Sequence, residues 1–136
     1  MQLVEAGAVK RRSLDMERNM DLIREMLLRI AADPKLDGSK HFVFTKDNLG
    51  GYSQEELNYH VDLLFEAGFV AGSPDSNPNP MISKLTWKGH EFVDTIRDSG
   101  IWSSVKERLK GLPSVALSVV AEIAIAEAKK RIGGLR

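Results

Sequence analysis

Residues 53–71 read SQEELNYHVDLLFEAGFVA, and this stretch decides the fold. Ser53 followed three residues later by Glu56 is the signature of a capping box at the start of a helix. Apolar residues then recur at helical spacing, and Gly68 stands where a helix commonly ends in a left-handed residue. The stretch therefore predicts one amphipathic helix, followed by a strand over residues 69–71.

The residues after this helix predict a β-hairpin with a long tip. Residues 72–80 hold three prolines together with glycine, serine and asparagine, which is the composition of an exposed loop. Residues 81–85 predict a second strand. Thr86 is expected to cap a further helix that reaches about Asp98, and Gly89 would let this helix approach a neighbour closely.

The chain before the capping box predicts a core-facing helix and a short edge strand. From Met16, methionine, leucine and isoleucine recur at spacings of three and four, and the pair Asp33-Pro34 stops the run. The next residues predict a loop over 34–40, an edge strand over 41–44 and a single helical turn over 45–51. The apolar faces of the three longest helices before residue 100 are expected to meet in one core cluster of Ile23, Leu27, Leu57, Val61, Leu64, Phe92 and Ile96.

The C-terminal part of the chain predicts two more helices. The first is short, and Ser114 is expected to cap the second, which covers residues 115–131. Eleven of the seventeen residues in this last helix are apolar, so it needs cover on more than one side. A domain this small has few elements to supply that cover, and a second copy of the chain is the natural partner. We therefore predict a homodimer whose contact contains Trp102, Val119, Val120 and Ile123.

In sequence order, these elements predict a mainly α fold with a small β-hairpin. This is the plan of a winged helix-turn-helix domain, in which a three-helix core is followed by a hairpin, the wing. We divide the chain into an N-terminal lead-in over residues 1–15, a winged-helix domain over residues 16–100, and a C-terminal helical extension over residues 101–136 that is expected to serve oligomerisation.

Two stretches of the sequence carry a family resemblance. Residues 53–70 resemble the segment from recognition helix to wing in arsenical-repressor-type winged helices, and residues 85–98, LTWKGHEFVDTIRD, resemble the helix after the wing in such regulators. Together with residues 20–24, they make the chain resemble the bacterial and phage family catalogued as domain of unknown function 2513. The resemblance covers residues 16–125. It implies a winged-helix-like fold and a bacterial or prophage setting, and it implies no activity.

Composition excludes several classes of protein. The chain has 136 residues, 19 basic and 19 acidic side chains and no cysteine, so thiol catalysis and thiolate metal sites are impossible. A formal net charge of zero argues against a bulk electrostatic grip on nucleic acid. No apolar run reaches the length of a membrane span and no signal peptide is recognised, so we expect a cytoplasmic protein that does not bind membranes.

Two functions from different classes stay open. The predicted helix over residues 53–66 carries four acidic and no basic side chains, yet Gln54 and Asn58 could read adenine and Tyr59 could reach a phosphate. The nearby cations that could join them are Lys46, Lys84 and Lys88. The first hypothesis is a homodimeric regulator associated with double-stranded DNA, and the alternative is a protein–protein adaptor with the same fold and no DNA binding. A positive strip from this helix to the wing would favour DNA, and an acidic surface there would favour the adaptor.

Nothing in the sequence predicts an enzyme or a cofactor. No nucleophile elbow, phosphate loop, dinucleotide fingerprint or zinc-protease motif is present. His90 and Asp94 are four residues apart on a predicted helix, but a metal site would need a third ligand. His60 is expected to be packed and bonded to a backbone carbonyl. Trp87 and Trp102 are both expected to pack in the core or in a subunit contact.

Overall fold

The computed structural model describes residues 17–112 and 114–134, and this part of the chain is mainly helical with a small three-stranded antiparallel sheet. The elements follow one another as α1 Met20–Ala32, β1 Asp37–Phe42, α2 Gln54–Glu66, β2 Val70–Ser73, β3 Met81–Leu85, α3 Trp87–Ile96, α4 Ser99–Leu109 and α5 Leu117–Gly134. The predicted mainly α composition and the predicted hairpin are therefore confirmed. The predicted lead-in over residues 1–15 and the predicted helix start at Met16 lie outside the described residues.

Helix α1 begins at Met20, four residues later than predicted. The side chain of Asn19 accepts the backbone N–H of Leu22, so this residue caps the helix. The helix ends at Ala32, and Asp33 has the extended backbone that the following proline favours. Of the face that the apolar spacing predicted, Ile23, Leu27 and Ile30 are buried and Met20 is partly buried. Leu22 and Met26, which that spacing did not include, are buried as well.

Helix α2 starts and ends as its sequence predicts. The Ser53 hydroxyl accepts the Glu56 N–H, and the Glu56 carboxylate accepts the Ser53 N–H in return, which completes the capping box. Gly68 has a φ of 80°, in the left-handed region that glycine tolerates without strain. The chain then turns at once into β2.

The sheet has the strand order β1–β3–β2, with β3 in the centre. The edge strand β1 covers residues 37–42, whereas the sequence predicted a loop over 34–40 and a strand over 41–44. Its first five side chains are exposed. An edge strand that buries almost no side chain does not need β-prone residues, because its pairing with β3 supplies the stability. Residues 46–49 form a hydrogen-bonded turn and no helix.

Helix α3 packs closely against the start of β2, as Gly89 predicted. A Cβ atom at this position would lie 2.0 Å from the carbonyl oxygen of Phe69, which is closer than any real contact. The Thr86 hydroxyl accepts the Gly89 N–H and donates to the carbonyl of Gly68. The start of α3 is therefore joined to the end of α2 through backbone and cap.

Helix α5 begins at Leu117, so Ser114 does not cap it as predicted. The Val115 carbonyl accepts a hydrogen bond from the Arg18 guanidinium. The carbonyl of Ala116, the residue after Val115, accepts the N–H groups of Val119 and Val120. Arg18 thus holds the backbone of Val115 outside the helix.

The core joins all these elements into one cluster of buried side chains, and the seven core residues predicted from the sequence all belong to it. Helix α5 folds back on this cluster and buries Leu117, Val120, Ala121 and Ala124. We expected a second subunit to cover the apolar residues of α5. The chain's own core covers one side of this helix instead, and the other side stays exposed.

Candidate interaction surface

The face of α2 that was expected to read DNA is closed by hydrogen bonds to the rest of the chain. The amide nitrogen of Gln54 donates to the Phe44 carbonyl at 2.8 Å and to the amide oxygen of Asn58 at 2.9 Å. Asn58 in turn donates to the amide oxygen of Asn79 at 2.9 Å. We call the chain formed by Gln54, Asn58 and Asn79 the amide relay. It ties the first two turns of α2 to the loop between β2 and β3.

The amide relay uses the groups that a base edge would need. Asparagine and glutamine recognise adenine by donating and accepting at the same time through one amide. In the relay, both amide nitrogens already donate, and the Asn58 oxygen already accepts. Contact of either amide with a base edge would therefore compete with the hydrogen bonds of the relay.

Tyr59 lies apart from the amide relay. Its ring is half-buried and meets the His60 ring edge-on, with 5.3 Å between the ring centroids. It lines a cleft of about 580 Å³ together with Arg18, Leu63 and Leu109. The phenol therefore lies on the side of α2 that faces α1 and α4, away from the hairpin loop.

The three lysines expected to contact DNA are exposed on three different elements. Lys46 lies in the turn before α2, Lys84 in the central strand β3, and Lys88 in the first turn of α3. The Lys88 ammonium stands 5.8 Å from the centre of the Phe69 ring, within the range of a cation–π contact. The ion pairs found within residues 17–112 and 114–134 involve none of the three.

A group of carboxylates joins the second half of α2 to the hairpin loop. Burial raises the pKa of Asp62, and the neighbouring carboxylates of Glu66 and Asp75 raise it further. Asp75 belongs to the loop between β2 and β3, so α2 and the loop bring like charges together. We call Asp62, Glu66 and Asp75 the acidic edge. Three carboxylates thus lie between this helix and the hairpin loop, where DNA binding would need positive charge.

The residues predicted for a subunit contact divide into two sets. Trp102 and Val120 are buried in the core of the single chain, so neither offers a surface to a second copy. Ile123 is partly buried and packs against the same core, while Val119 is exposed. The reason is that α5 packs on α3 and α4, and its inward face contains Val120.

The two tryptophans have opposite environments. Trp102 is buried, as predicted, and its indole N–H donates to the Asp21 carboxylate at 2.9 Å. Trp87 is 79% exposed, so it does not pack in the core of the single chain, and the alternative expectation of a subunit contact stays a prediction. It stands at the first position of α3, a helix whose buried residues are Gly89, Phe92, Val93 and Ile96.

His60 is packed and bonded to a backbone carbonyl, as predicted. It is buried, and its Nδ1 lies 2.8 Å from the Glu56 carbonyl. The metal pair considered for His90 and Asp94 gains no further ligand, because no group of three His, Cys, Asp or Glu residues that could hold a metal occurs in the described part of the chain. In the same part, no helix has the length and apolar character to cross a membrane.

Sequence reasoning missed Asn79, which completes the amide relay, and Asn19, which joins His60 to α1. The prolines on either side of Asn79 indicated only an exposed loop. The one local signal for Asn19 is its helix-capping residue type just before an apolar run. Neither long-range bond leaves a pattern in the sequence, since each partner is at least twenty residues away.

The comparisons with known proteins agree with the resemblance noted in the sequence. The family described as "Hypothetical protein (DUF2513)" matches residues 17–116. An uncharacterized protein of Haemophilus influenzae is 34% identical over 113 residues, which cover 80% of this chain and 92% of that protein. No solved structure matches the chain. Because the family match spans most of the chain and the relative is matched over nearly its whole length, this protein belongs to the DUF2513 family.

Proposed function

We propose that this protein is a non-enzymatic protein–protein adaptor, built on a winged-helix fold, that does not read DNA. The partner chemistry that fits is a basic protein segment, bound along α2 and the hairpin loop. The Haemophilus influenzae relative supports a bacterial setting.

The winged-helix part of the proposal is supported by the order and pairing of the elements. A winged helix has a three-helix core followed by a hairpin. Helix α1 and helix α2 correspond to the first and third helices, and β2 and β3 to the hairpin. The turn at residues 46–49 lies between α1 and α2 in the sequence, where the second helix of a winged helix is expected. Leu49 in this turn is buried in the core.

The amide relay is the observation that carries the adaptor proposal. In a DNA-reading winged helix, the outward side chains of this helix must be free to enter the major groove. Here Gln54 and Asn58 are bonded to Phe44 and to Asn79, and the hairpin loop lies against the helix. A surface that is already closed and rigid suits docking to a protein better than insertion into a groove.

The acidic edge gives the adaptor a preferred partner. The carboxylates of Glu66 and Asp75 contribute to the raised pKa of Asp62, and a lysine- or arginine-rich segment would relieve this repulsion. The same three carboxylates would repel the phosphate backbone. The charge distribution therefore favours a basic peptide over a nucleic acid.

A DNA-associated homodimeric regulator is the second candidate, and the exposed lysines favour it. Lys46, Lys84 and Lys88 are exposed. Phosphate contacts from such lysines would position the protein on DNA without reading bases. This candidate requires the three lysines to act together although they lie on different elements.

Fluorescence anisotropy with two labelled probes separates the candidates. We expect a lysine-rich peptide to bind at about 50 mM salt, and a duplex of about 20 base pairs to show no binding under the same conditions. The double change Asp62→Asn and Glu66→Gln should weaken peptide binding, while the exposed control Glu91→Gln should not. Duplex binding that disappears on the double change Lys84→Glu and Lys88→Glu would instead support the regulator and contradict the adaptor.

A further inference from the structure

We propose that α5 pairs with α5 of a second copy of this chain, antiparallel and about a two-fold axis. The contact would be made by the outward stripe of this helix, which consists of Val119, Glu122, Ile125, Ala126, Lys129 and Ile132. This inference goes beyond the adaptor function and does not depend on α2. Of the contact residues expected from the sequence, it keeps only Val119.

The stripe is the face of α5 that the chain's own core leaves uncovered. All six of its residues are exposed, and they recur at spacings of three and four, so they lie along one side of the helix. The opposite side holds the residues buried in the core, which include Val120 and Ala124. Core and stripe thus occupy different sides of the same helix.

The exposed large apolar side chains of the described residues are concentrated around this helix. Val119 and Ile125 are each 39% exposed and Ile132 is 62% exposed. Leu112 lies just before α5, and Trp87 lies on the neighbouring helix α3. Exposed apolar side chains that recur along one helix, as Val119, Ile125 and Ile132 do, mark an interaction site more often than they mark open solvent.

The order of charges along the stripe identifies a second copy as the occupant. In an antiparallel pair of identical helices, the numbers of any two residues that face each other across the contact add up to the same total. When the two-fold axis passes between Ile125 and Ala126, Glu122 faces Lys129 of the partner subunit, and Val119 faces Ile132 of the partner subunit. The charges then pair twice, once on each side of the axis.

A parallel pair of stripes in register does not have this complementarity. A parallel pair in register would set Glu122 against Glu122 and Lys129 against Lys129, and like charges at such positions are unfavourable. The stripe is thus self-complementary in one orientation. The contact is isologous and closes on itself, which limits the assembly to a dimer.

The size of the contact predicts a weak dimer. From Val119 to Ile132 the helix advances about 20 Å at about 1.5 Å for each residue. One helix pair of this length buries less surface than a standard interface of about 1,600 Å². We therefore expect a dissociation constant in the micromolar range, at which monomer and dimer exchange.

Sedimentation equilibrium of the full chain tests the pairing. We expect the wild-type protein to be mainly dimeric at about 100 µM, and we expect either single reversal, Glu122→Lys or Lys129→Glu, to weaken the dimer at least about tenfold, because each reversal creates two like-charge contacts. The double variant with both reversals should recover the wild-type constant within about threefold. Glu55→Lys makes the same charge change on α2 and should have no effect.

A monomer at every concentration would overturn the proposal, and so would a double variant as weak as the single ones. If a reversal disturbs folding, as circular dichroism would show, a cross-link decides the matter. The chain has no cysteine, so Ala126→Cys places one thiol next to the proposed axis. Oxidation should link two chains through this thiol and not through Ser103→Cys, an exposed position on α4. The absence of a link at position 126 would contradict the pairing.

Discussion

The Nε2 atom of His60 accepts the backbone N–H of Asn19 at 2.8 Å, so the residue that caps α1 is bonded to the middle of α2. On the other side of the ring, Nδ1 lies 2.8 Å from the Glu56 carbonyl and donates to it. An imidazole that accepts at one nitrogen and donates at the other is neutral. Protonation of His60 would therefore break the bond to Asn19.

We predict that the protein is less stable in mild acid than at neutral pH, because buried His60 resists protonation in the folded state. Burial lowers the pKa of His60 below 6.5. This effect outweighs the hydrogen bond with the Glu56 carbonyl and the negative charge of the Glu56 side chain, both of which raise the pKa. Below pH 6.5 the unfolded chain binds a proton that the folded chain does not, so the stability falls as the pH decreases from 6.5 to the lowered pKa. Urea unfolding at pH 7.5 and at pH about 5.5 should show this fall.

The matched variants are His60→Gln, which does not titrate, and His41→Gln, which removes an exposed histidine. The difference in unfolding free energy between the two pH values should become smaller in the first variant and stay as in the wild type in the second. An unchanged difference in His60→Gln would show that other groups cause the loss of stability in acid.

We predict that Gly89→Ala destabilises the protein although alanine favours helices. The new Cβ would meet the Phe69 carbonyl at 2.0 Å, and neither backbone segment can yield easily. Overpacking of this kind costs about 1–3 kcal/mol, more than the gain of about 1 kcal/mol from helix propensity. The control is Gly100→Ala in α4, where the new Cβ would meet mainly the end of the flexible Arg131 side chain.

Denaturant unfolding measures both variants under the same conditions. The control should be neutral or slightly stabilising, since Arg131 can move aside. Equal effects of the two substitutions would show that the contact between α3 and Phe69 is looser than described.

We predict that Asp21→Ala destabilises the protein by about 1–3 kcal/mol, because the indole N–H of buried Trp102 would lose its acceptor. Asp94→Ala is the control, since Asp94 is exposed and its ion pair with Arg97 spans 4.0 Å. It should change the unfolding free energy by less than about 0.5 kcal/mol. A similar value for both would mean that the indole bond adds nothing to stability.

We predict that protonation of the Asp21 carboxylate makes the protein less stable in strong acid. The hydrogen bond from Trp102 lowers the pKa of Asp21 below 3.8, and Lys106 lowers it further. The stabilisation is therefore complete above pH 3.8 and is lost as the pH falls through the lowered pKa. Thermal unfolding of Asp21→Ala and of the wild type should differ less at pH about 2 than at neutral pH.

Local signals in the sequence predicted the elements that local interactions define. The capping box of Ser53 and Glu56, the left-handed Gly68 and the close approach at Gly89 each involve a backbone rule that acts within a few residues or demands one residue type. The apolar spacing likewise predicted the core face of α1. These features could be identified because each leaves a signal within a few residues, even where the contact itself, as between Gly89 and Phe69, is with a distant residue.

The features that were not predictable depend on partners far away in the chain. Strand β1 exists because β3 pairs with it, not because its own residues prefer strands. Trp87 and Trp102 both stand near helix starts beside apolar residues, and only the second has an acceptor, Asp21, eighty-one positions away. The apolar α5 was assigned wholly to a subunit contact because nothing local indicates that α3 and α4 cover one of its sides.

The central claim, that α2 and the hairpin loop form a closed acidic surface for a basic partner, is tested most directly by amide chemical-shift mapping. Adding a lysine-rich peptide at about 50 mM salt should shift the backbone signals of Asp62, Glu66 and Asp75 and leave the side-chain NH₂ signals of Gln54 and Asn58 in place. Adding duplex DNA should shift none of them. Shifts of the Gln54 and Asn58 side-chain signals on addition of DNA would contradict the account, since they would show that the amide relay opens to read bases.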